Sequence, residues 1–372
     1  MTRTATAVRI PTARRGSAGT TPLDGGTFRR DVAGLRAVAV ALVVLFDLGV
    51  PGLTGGYVGA DVFFVISGYL ITALLLREAD TTGRVALLAF YGRRARRILP
   101  AAGLVLVVVL LIARYWFGAR IAASNFHVDH LAAPLPLRHL GSLAVEVQFY
   151  LIWPAVLALL LTLPPRFDAH RAVPFVLGCA TGGSLAWSAL HAGTWSSASP
   201  ITRAWELGAG ALLALAGNDR HRIPHRLAAG LSWLGLALIL AAALVYQRGT
   251  PFPGIAATVP VLGAVLVLAG RGDGLLGLPP LQWLGRISYS LYLWHWPVLV
   301  LAEQAHGGGL PGWTRGLLLL VSVGLAKITY ILVEQPIRRN ARLGRSPALL
   351  LAVALLLIAA PLAAAWWTIS PG

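Results

Sequence analysis

Arginine 36 and aspartate 47 stand eleven residues apart in one apolar stretch, RDVAGLRAVAVALVVLFD. Three helical turns span about 10.8 residues, so a helix puts both on one face, about 16 Å apart along its axis. They are too distant to pair. Asp47 is therefore either a helix end open to water or a group that handles a proton. Further along, Glu146 and Gln148 interrupt the apolar run SLAVEVQFYLIWP, and GRISYSLYLWHWPVLV carries Arg286, Ser288, Tyr289, Tyr292 and His295, the last between two tryptophans. An imidazole titrates near neutrality and can carry a proton; a buried histidine held by hydrogen bonds is the plainer alternative. The run RRARR sets Arg93, Arg94, Arg96 and Arg97 on about one and a half helical turns. Such guanidiniums suit bidentate phosphate contacts, and they serve equally as a basic flank that fixes topology. Five more charges read as supporting. Asp61 opens the glycine-rich segment GGYVGADVFFVISGYLIT, where it can answer the helix dipole. Arg203 and Glu206 are i,i+3 neighbours able to pair within a helix, Arg286 borders an apolar run, and Glu334 in VEQPIRR has Arg338 and Arg339 as candidate partners.

The elements that hold these groups follow from composition. Of 372 residues, 57% are hydrophobic and 12% charged, where a soluble domain carries about a quarter charged. Disorder is excluded by the apolar fraction. The net charge of +17 does not make a nucleic-acid binder, because a basic stripe there decorates a soluble fold and does not interrupt long apolar runs. Cys179 stands alone, so neither an internal disulfide nor a thiolate metal site is available, and no metal is expected.

About 20 apolar residues cross a bilayer as a helix, and eleven such runs fall near 33–50, 58–76, 98–117, 142–163, 172–191, 202–216, 227–246, 255–270, 283–303, 313–333 and 347–367. The basic residues test the count: 22 of 31 sit in every second connection, beginning with the N-terminal tail. By the positive-inside rule the N-terminus is cytoplasmic and the C-terminus extracytoplasmic. The expected architecture is an all-α, polytopic membrane helix bundle of about 10–11 transmembrane helices. It comprises a basic tail (1–30), a membrane domain (31–340) and an additional C-terminal helix with a short outer tail (341–372). A charge near the bilayer centre costs at least about 2.5–3.5 kcal/mol, so the buried charges above are the place to look for function.

Seven segments in order, RRDVAGLRAVAV, GGYVGADVFFVISGYLIT, FYGRRARRILP, SLAVEVQFYLIWP, TRAWELGAGALLAL, LGRISYSLYLWHWPVL and VEQPIRR, resemble successive motifs of the acyltransferase family 3 proteins. These are integral-membrane enzymes that move acyl groups onto hydroxyls of carbohydrates and other cell-surface molecules. The resemblance implies a core of about ten helices and a cytoplasmic acyl-CoA donor, with acetyl-CoA the usual one. No permanently bound cofactor is implied. The acceptor it implies is a glycan or a lipid-linked molecule reached from the bilayer or the outer side. Residue by residue, it implies donor binding at Arg36, Arg93, Arg94, Arg96 and Arg97, and catalytic or substrate contacts at Glu146, His295 and the neighbouring Tyr292. Asp47 occupies the place of the family's first-helix histidine, its general base. Val147 stands where a second acid is usual and Gly141 where tryptophan is usual. An aspartate is an ordinary acid at about 3.9 and a weak base unless burial raises it. Two readings are therefore open: an O-acyltransferase using Asp47 or His295 for the proton, and a catalytically inactive relative that retains acyl-CoA or lipid binding. A transporter is a third, without support from any internal repeat.

Overall fold

The computed structural model describes residues 29–124, 135–162, 169–193, 199–217, 224–272 and 274–340. The expected basic tail, but for its last two residues, and the expected last span at 347–367 lie outside these. Ten helices coincide with the ten other apolar runs: α1 (Arg30–Asp47), α2 (Gly59–Thr82), α3 (Leu87–Ser124), α4 (Leu140–Leu161), α5 (Ala169–Leu190), α6 (Pro200–Leu215), α7 (His225–Val245), α8 (Thr258–Gly270), α9 (Pro279–His306) and α10 (Gly312–Thr329). A π-helical turn, Tyr330–Glu334, and a final turn, Gln335–Arg339, prolong α10. Among the described residues there is no strand, as the expected all-α bundle requires.

Little of the segment 77–97 is loop: α2 runs to Thr82 and α3 begins at Leu87, so the RRARR run is helical, as its reading on one and a half turns required. With 38 residues, α3 is about 57 Å long against a hydrocarbon core of about 30 Å. A helix satisfies its own backbone groups in water as well as in lipid, so it continues past the apolar stretch.

Six helices, α2, α3, α4, α5, α7 and α10, are by themselves long and apolar enough to cross a bilayer. The others fall short for different reasons. Within its 18 residues α1 carries Arg30, Asp31, Arg36 and Asp47, α6 and α8 have only 16 and 13 residues, and α9 carries Arg286, Ser288, Ser290 and His295. Position resolves the paradox. Helix α1 packs on α9 and α2, and α2 on α6, so the polar helices occupy the interior. In the apolar stretch of α2, 72% of residues are buried, against 22% in α5 and α10. The outer helices supply the lipid-facing surface, and polar side chains are tolerated where protein surrounds them.

Close approach depends on glycine. A Cβ at Gly68 of α2 would stand 1.8 Å from the Leu207 carbonyl oxygen, and one at Gly210 of α6 would stand 2.0 Å from the Val65 oxygen. Without a side chain at either position the two backbones meet directly, as in small-residue packing of membrane helices. Leu35, Ala39, Val62, Val65 and Ile66 then close the core against α7 and α8.

Candidate functional site

The interior polar groups converge on a pocket of about 790 Å³, counting the solvent at its mouth. Helix α1 supplies Arg36, α2 Ser67, α3 Arg94 and Arg97, α4 Ser142, Glu146 and Tyr150, and α9 Ser288, Tyr289 and Tyr292. Phe63, Phe64, Ile66, Leu70 and Leu143 form its apolar walls. Three guanidiniums thus face one carboxylate.

Each polar group is held from an adjoining helix. The Ser67 and Tyr150 hydroxyls both donate to Glu146 Oε1, and the Tyr150 hydroxyl also reaches Ser67 Oγ at 3.0 Å. The Arg94 guanidinium lies over the Tyr150 ring, 4.5 Å from its centroid. Its Nε is buried and has no hydrogen-bond partner among the described residues. Arg36 Nη2 donates to Ser288 Oγ at 2.9 Å, and Tyr289 donates to the Ile98 carbonyl at 2.8 Å, tying α9 to α3 beside the arginines. A buried guanidinium donor left vacant is costly, and a pocket with surplus positive charge offers that donor to an anion.

Asp47 and His295 meet next to this pocket but do not line it. His295 is buried, with Nε2 3.1 Å from Asp47 Oδ2 and Nδ1 3.2 Å from the Leu291 carbonyl. The sequence separation of 248 between them is bridged by the packing of α1 on α9. Asp47 ends α1, where the helix dipole opposes a negative charge, and the imidazole offsets that penalty. Both nitrogens of His295 face acceptors. The pair is satisfied when each nitrogen bears a proton, or when one nitrogen and the carboxyl do. Tyr292 stands between the pair and the pocket, its ring 5.5 Å from that of His295.

The other sequence candidates divide cleanly. The four-arginine cradle is split: Arg94 and Arg97 line the pocket, Arg93 is exposed and pairs with Glu78 at 2.6 Å, and Arg96 Nη1 reaches toward the Asn340 carbonyl at 3.5 Å. Four residues on one helix cannot all face one side, and α3 turns the i,i+3 pair Arg94 and Arg97 inward and the pair Arg93 and Arg96 away. Arg286 is exposed on α9 and does not line the pocket. Asp61, Arg203 and Glu206 form a separate buried cluster: Arg203 Nη1 donates to Asp61 Oδ1 at 2.7 Å and to Glu206 Oε1 at 3.3 Å. Asp61 does lie in the first turn of α2, but it is fully buried and ion-paired, so it does more than answer the dipole. Glu334 sits in the π-helical turn and accepts from Ser290 on α9. Sequence reasoning missed Ser67, Ser142 and Tyr150. Hydroxyls one or four residues from a glycine or glutamate in an apolar helix were the available signal. Because Arg93 is paired only at the surface, Arg93→Gln is expected to shift stability by no more than about 1 kcal/mol and to leave anion binding unchanged, measured by thermal denaturation and ligand titration.

Comparison with known proteins gives a consistent result. The model of the acyltransferase 3 family, described as an acyltransferase domain, matches residues 29–333. The peptidoglycan O-acetyltransferase OatA of Listeria monocytogenes is 30% identical over 357 residues, covering 83% of this chain and 56% of that protein. The putative peptidoglycan O-acetyltransferase YrhL of Bacillus subtilis is 31% identical, with 82% and 54% covered. The O-acetyltransferase OatA of Staphylococcus aureus is 30% identical, with 82% and 57% covered. The chain thus spans a little over half the length of these relatives. No solved structure matches. A match over residues 29–333 takes in every helix that lines the pocket, and by it the chain belongs to the acyltransferase 3 family.

Proposed function

We propose that this protein is a membrane O-acyltransferase that moves an acyl group, acetyl in the simplest case, from acyl-CoA to a hydroxyl of a carbohydrate or lipid-linked cell-surface acceptor. The observation that carries the reading is the pocket in which Arg36, Arg94 and Arg97 surround Glu146 with an Arg94 donor left vacant. Permanent, planar guanidiniums fit the phosphates of a coenzyme thioester. The similar proteins are named for O-acetylation of peptidoglycan, which is a glycan acceptor of the proposed class.

In this reading the arginine side of the pocket faces the cytoplasm, where arginine-rich connections lie, and the Asp47–His295 end faces outward. The thioester carbonyl lies in the pocket, and the acceptor hydroxyl approaches from the Tyr292 side. Attack forms the ester C–O bond and breaks the C–S bond. The hydroxyl proton passes to the titratable groups beyond Tyr292, and hydroxyl and guanidinium donors meet the developing oxyanion. The Asp47–His295 contact favours turnover over an inactive relative, because it provides a hydrogen-bonded acid–base pair in the place where the sequence offers only an aspartate.

The test is transfer of label from acetyl-CoA to peptidoglycan fragments or lipid-linked glycans by protein reconstituted in liposomes. Arg94→Gln with Arg97→Gln is expected to weaken acyl-CoA binding about a hundredfold or more, since each of the two charge-assisted contacts contributes about 1.5–3 kcal/mol. Unchanged affinity in a calorimetric titration would remove the arginines from donor binding.

A further inference from the structure

The pocket has two unlike ends, and α4 measures the distance between them: from Ser142 to Tyr150 the helix rises about 12 Å. At the Tyr150 end lies the Arg94 guanidinium, stacked on that ring, and midway Glu146 accepts from Ser67. At the Ser142 end the Ser142 and Tyr292 hydroxyls bond to one another, and both reach the His139 carbonyl. Phe63 belongs to this second end. It lies one helical turn before Ser67 on α2, and its ring centroid is 6.4 Å from that of Tyr292. The other two arginines stop short of it: Arg36 is bonded to Ser288, and Arg97 adjoins Ile98, which accepts from Tyr289. Both of these α9 residues precede Tyr292 by about one turn.

Composition follows this division. The guanidiniums and the carboxylate occupy the Tyr150 end and the middle, whereas the Ser142 end is walled by Ala60, Phe63 and Phe64 of α2 and by Leu143 of α4. Its two hydroxyls already have each other and a main-chain carbonyl as partners, so an apolar guest leaves no polar group there unmatched. Along α2 from Val58 to Thr72, every residue is buried except Ala60, Phe63 and Leu70, and all three line the pocket. The surface that Phe63 keeps is therefore pocket surface. Centroids 6.4 Å apart put the Phe63 and Tyr292 rings in contact, so the pocket is closed along the line that joins them. Tyr292 is held in place by its hydroxyl, while Phe63 has no polar anchor.

We infer that this apolar end is the acyl subsite and that Phe63 is the specificity-determining residue that limits the length of the acyl group. The inference rests on the acyltransferase reading. A coenzyme thioester is anionic at one end and carries its acyl group at the other, the same polarity that the pocket shows along its length. With its phosphates on the arginines, its acyl tail lies against Phe63, Phe64 and Leu143, and its carbonyl is left facing α9 and the side from which the acceptor approaches. An acetyl methyl fits beside the closed ring pair. Each further methylene must displace a ring in a packed wall, and such a wall yields little. Removing the Phe63 ring opens the end without touching an arginine, a hydroxyl or the carboxylate.

The experiment measures kcat/KM for labelled acetyl-, propionyl- and butyryl-CoA with one glycan acceptor, in liposomes carrying wild-type, Phe63→Ala or Phe63→Leu protein. Calorimetric titrations give the affinities of the three thioesters and of free coenzyme A. In the wild type, kcat/KM is expected to fall about tenfold or more with each added methylene. Phe63→Ala is expected to raise the butyryl-to-acetyl ratio about 100-fold and Phe63→Leu about tenfold, with free coenzyme A bound as before. The ratio is read within one preparation, so a lower yield of folded variant does not alter it. A ratio within a few-fold of wild type in both variants, or a wild type that uses butyryl-CoA as well as acetyl-CoA, would overturn the inference and leave the transferase reading intact. Loss of coenzyme A binding in both variants would mark Phe63 as a packing residue and overturn it too. If the wild-type protein binds acyl-CoA but transfers to no acceptor, the proposed function itself fails, and the ratio of butyryl- to acetyl-CoA affinities in the three proteins still decides the subsite.

Discussion

Asp47→Ala is expected to lower the turnover of acyl transfer about 100-fold or more, the usual reach of a lost acid–base arrangement, while acyl-CoA binds as before. The two halves of this outcome have separate causes. Asp47 accepts from His295 Nε2 and lies outside the lining of the arginine pocket, so its loss strips a buried imidazole of its carboxylate without touching donor contacts. A buried polar nitrogen left unmatched costs about 1–3 kcal/mol, and the ring is then free to turn toward Leu291 or His139. Asp47→Asn separates charge from shape: the amide keeps an acceptor oxygen but cannot balance a positive ring, so its turnover is expected near that of Asp47→Ala. A rapid-quench measurement of single-turnover transfer at saturating acetyl-CoA gives the answer directly. Turnover within a few-fold of wild type in both variants would deprive the pair of any part in the reaction.

Gly68→Ala is expected to damage the fold itself. Its new methyl would lie 1.8 Å from the Leu207 carbonyl oxygen, a backbone atom that cannot rotate aside, so α2 and α6 must separate. Overpacking commonly costs about 1–3 kcal/mol, and a clash with the Leu207 main chain at a helix crossing belongs at the top of that range or above. The harm reaches the pocket through the preceding residue, because Ser67 is the α2 donor to Glu146. Lower yield, a lower melting temperature in detergent and weaker acyl-CoA binding are expected together. Gly141→Ala is the control: its added Cβ meets nothing within 4 Å, and its melting temperature is expected to match wild type. A Gly68→Ala protein as stable as that control would mean the helices are not in the contact described.

The contrast between those glycines shows what sequence can carry. Apolar runs located ten helices because the bilayer demands a fixed length of hydrocarbon, a one-dimensional requirement. The Arg203–Glu206 pair was legible for the same reason: i,i+3 spacing on a helix fixes the neighbourhood. Its third member, Asp61, comes from another helix, and nothing in local spacing announces it. The Asp47–His295 contact is the extreme case, since each residue alone had an ordinary explanation as a wet helix end or a satisfied histidine. Only the packing of α1 on α9 makes them one unit. The basic run misled in a different way, for it lists four arginines in a row but cannot say which face α3 turns inward.

Biosynthesis inherits a problem from the interior placement of α1. It is the first of the described helices to leave the ribosome, yet the groups that accommodate Arg36 and Asp47, Ser288 and His295, belong to a helix made more than 200 residues later. Until then its charges face lipid or the insertion machinery at a cost of about 2.5–3.5 kcal/mol for each one near the bilayer centre. Stable integration of the leading segment is therefore a late, cooperative event, completed when α9 arrives, and a chain interrupted before that point lacks the partners that would keep α1 in place.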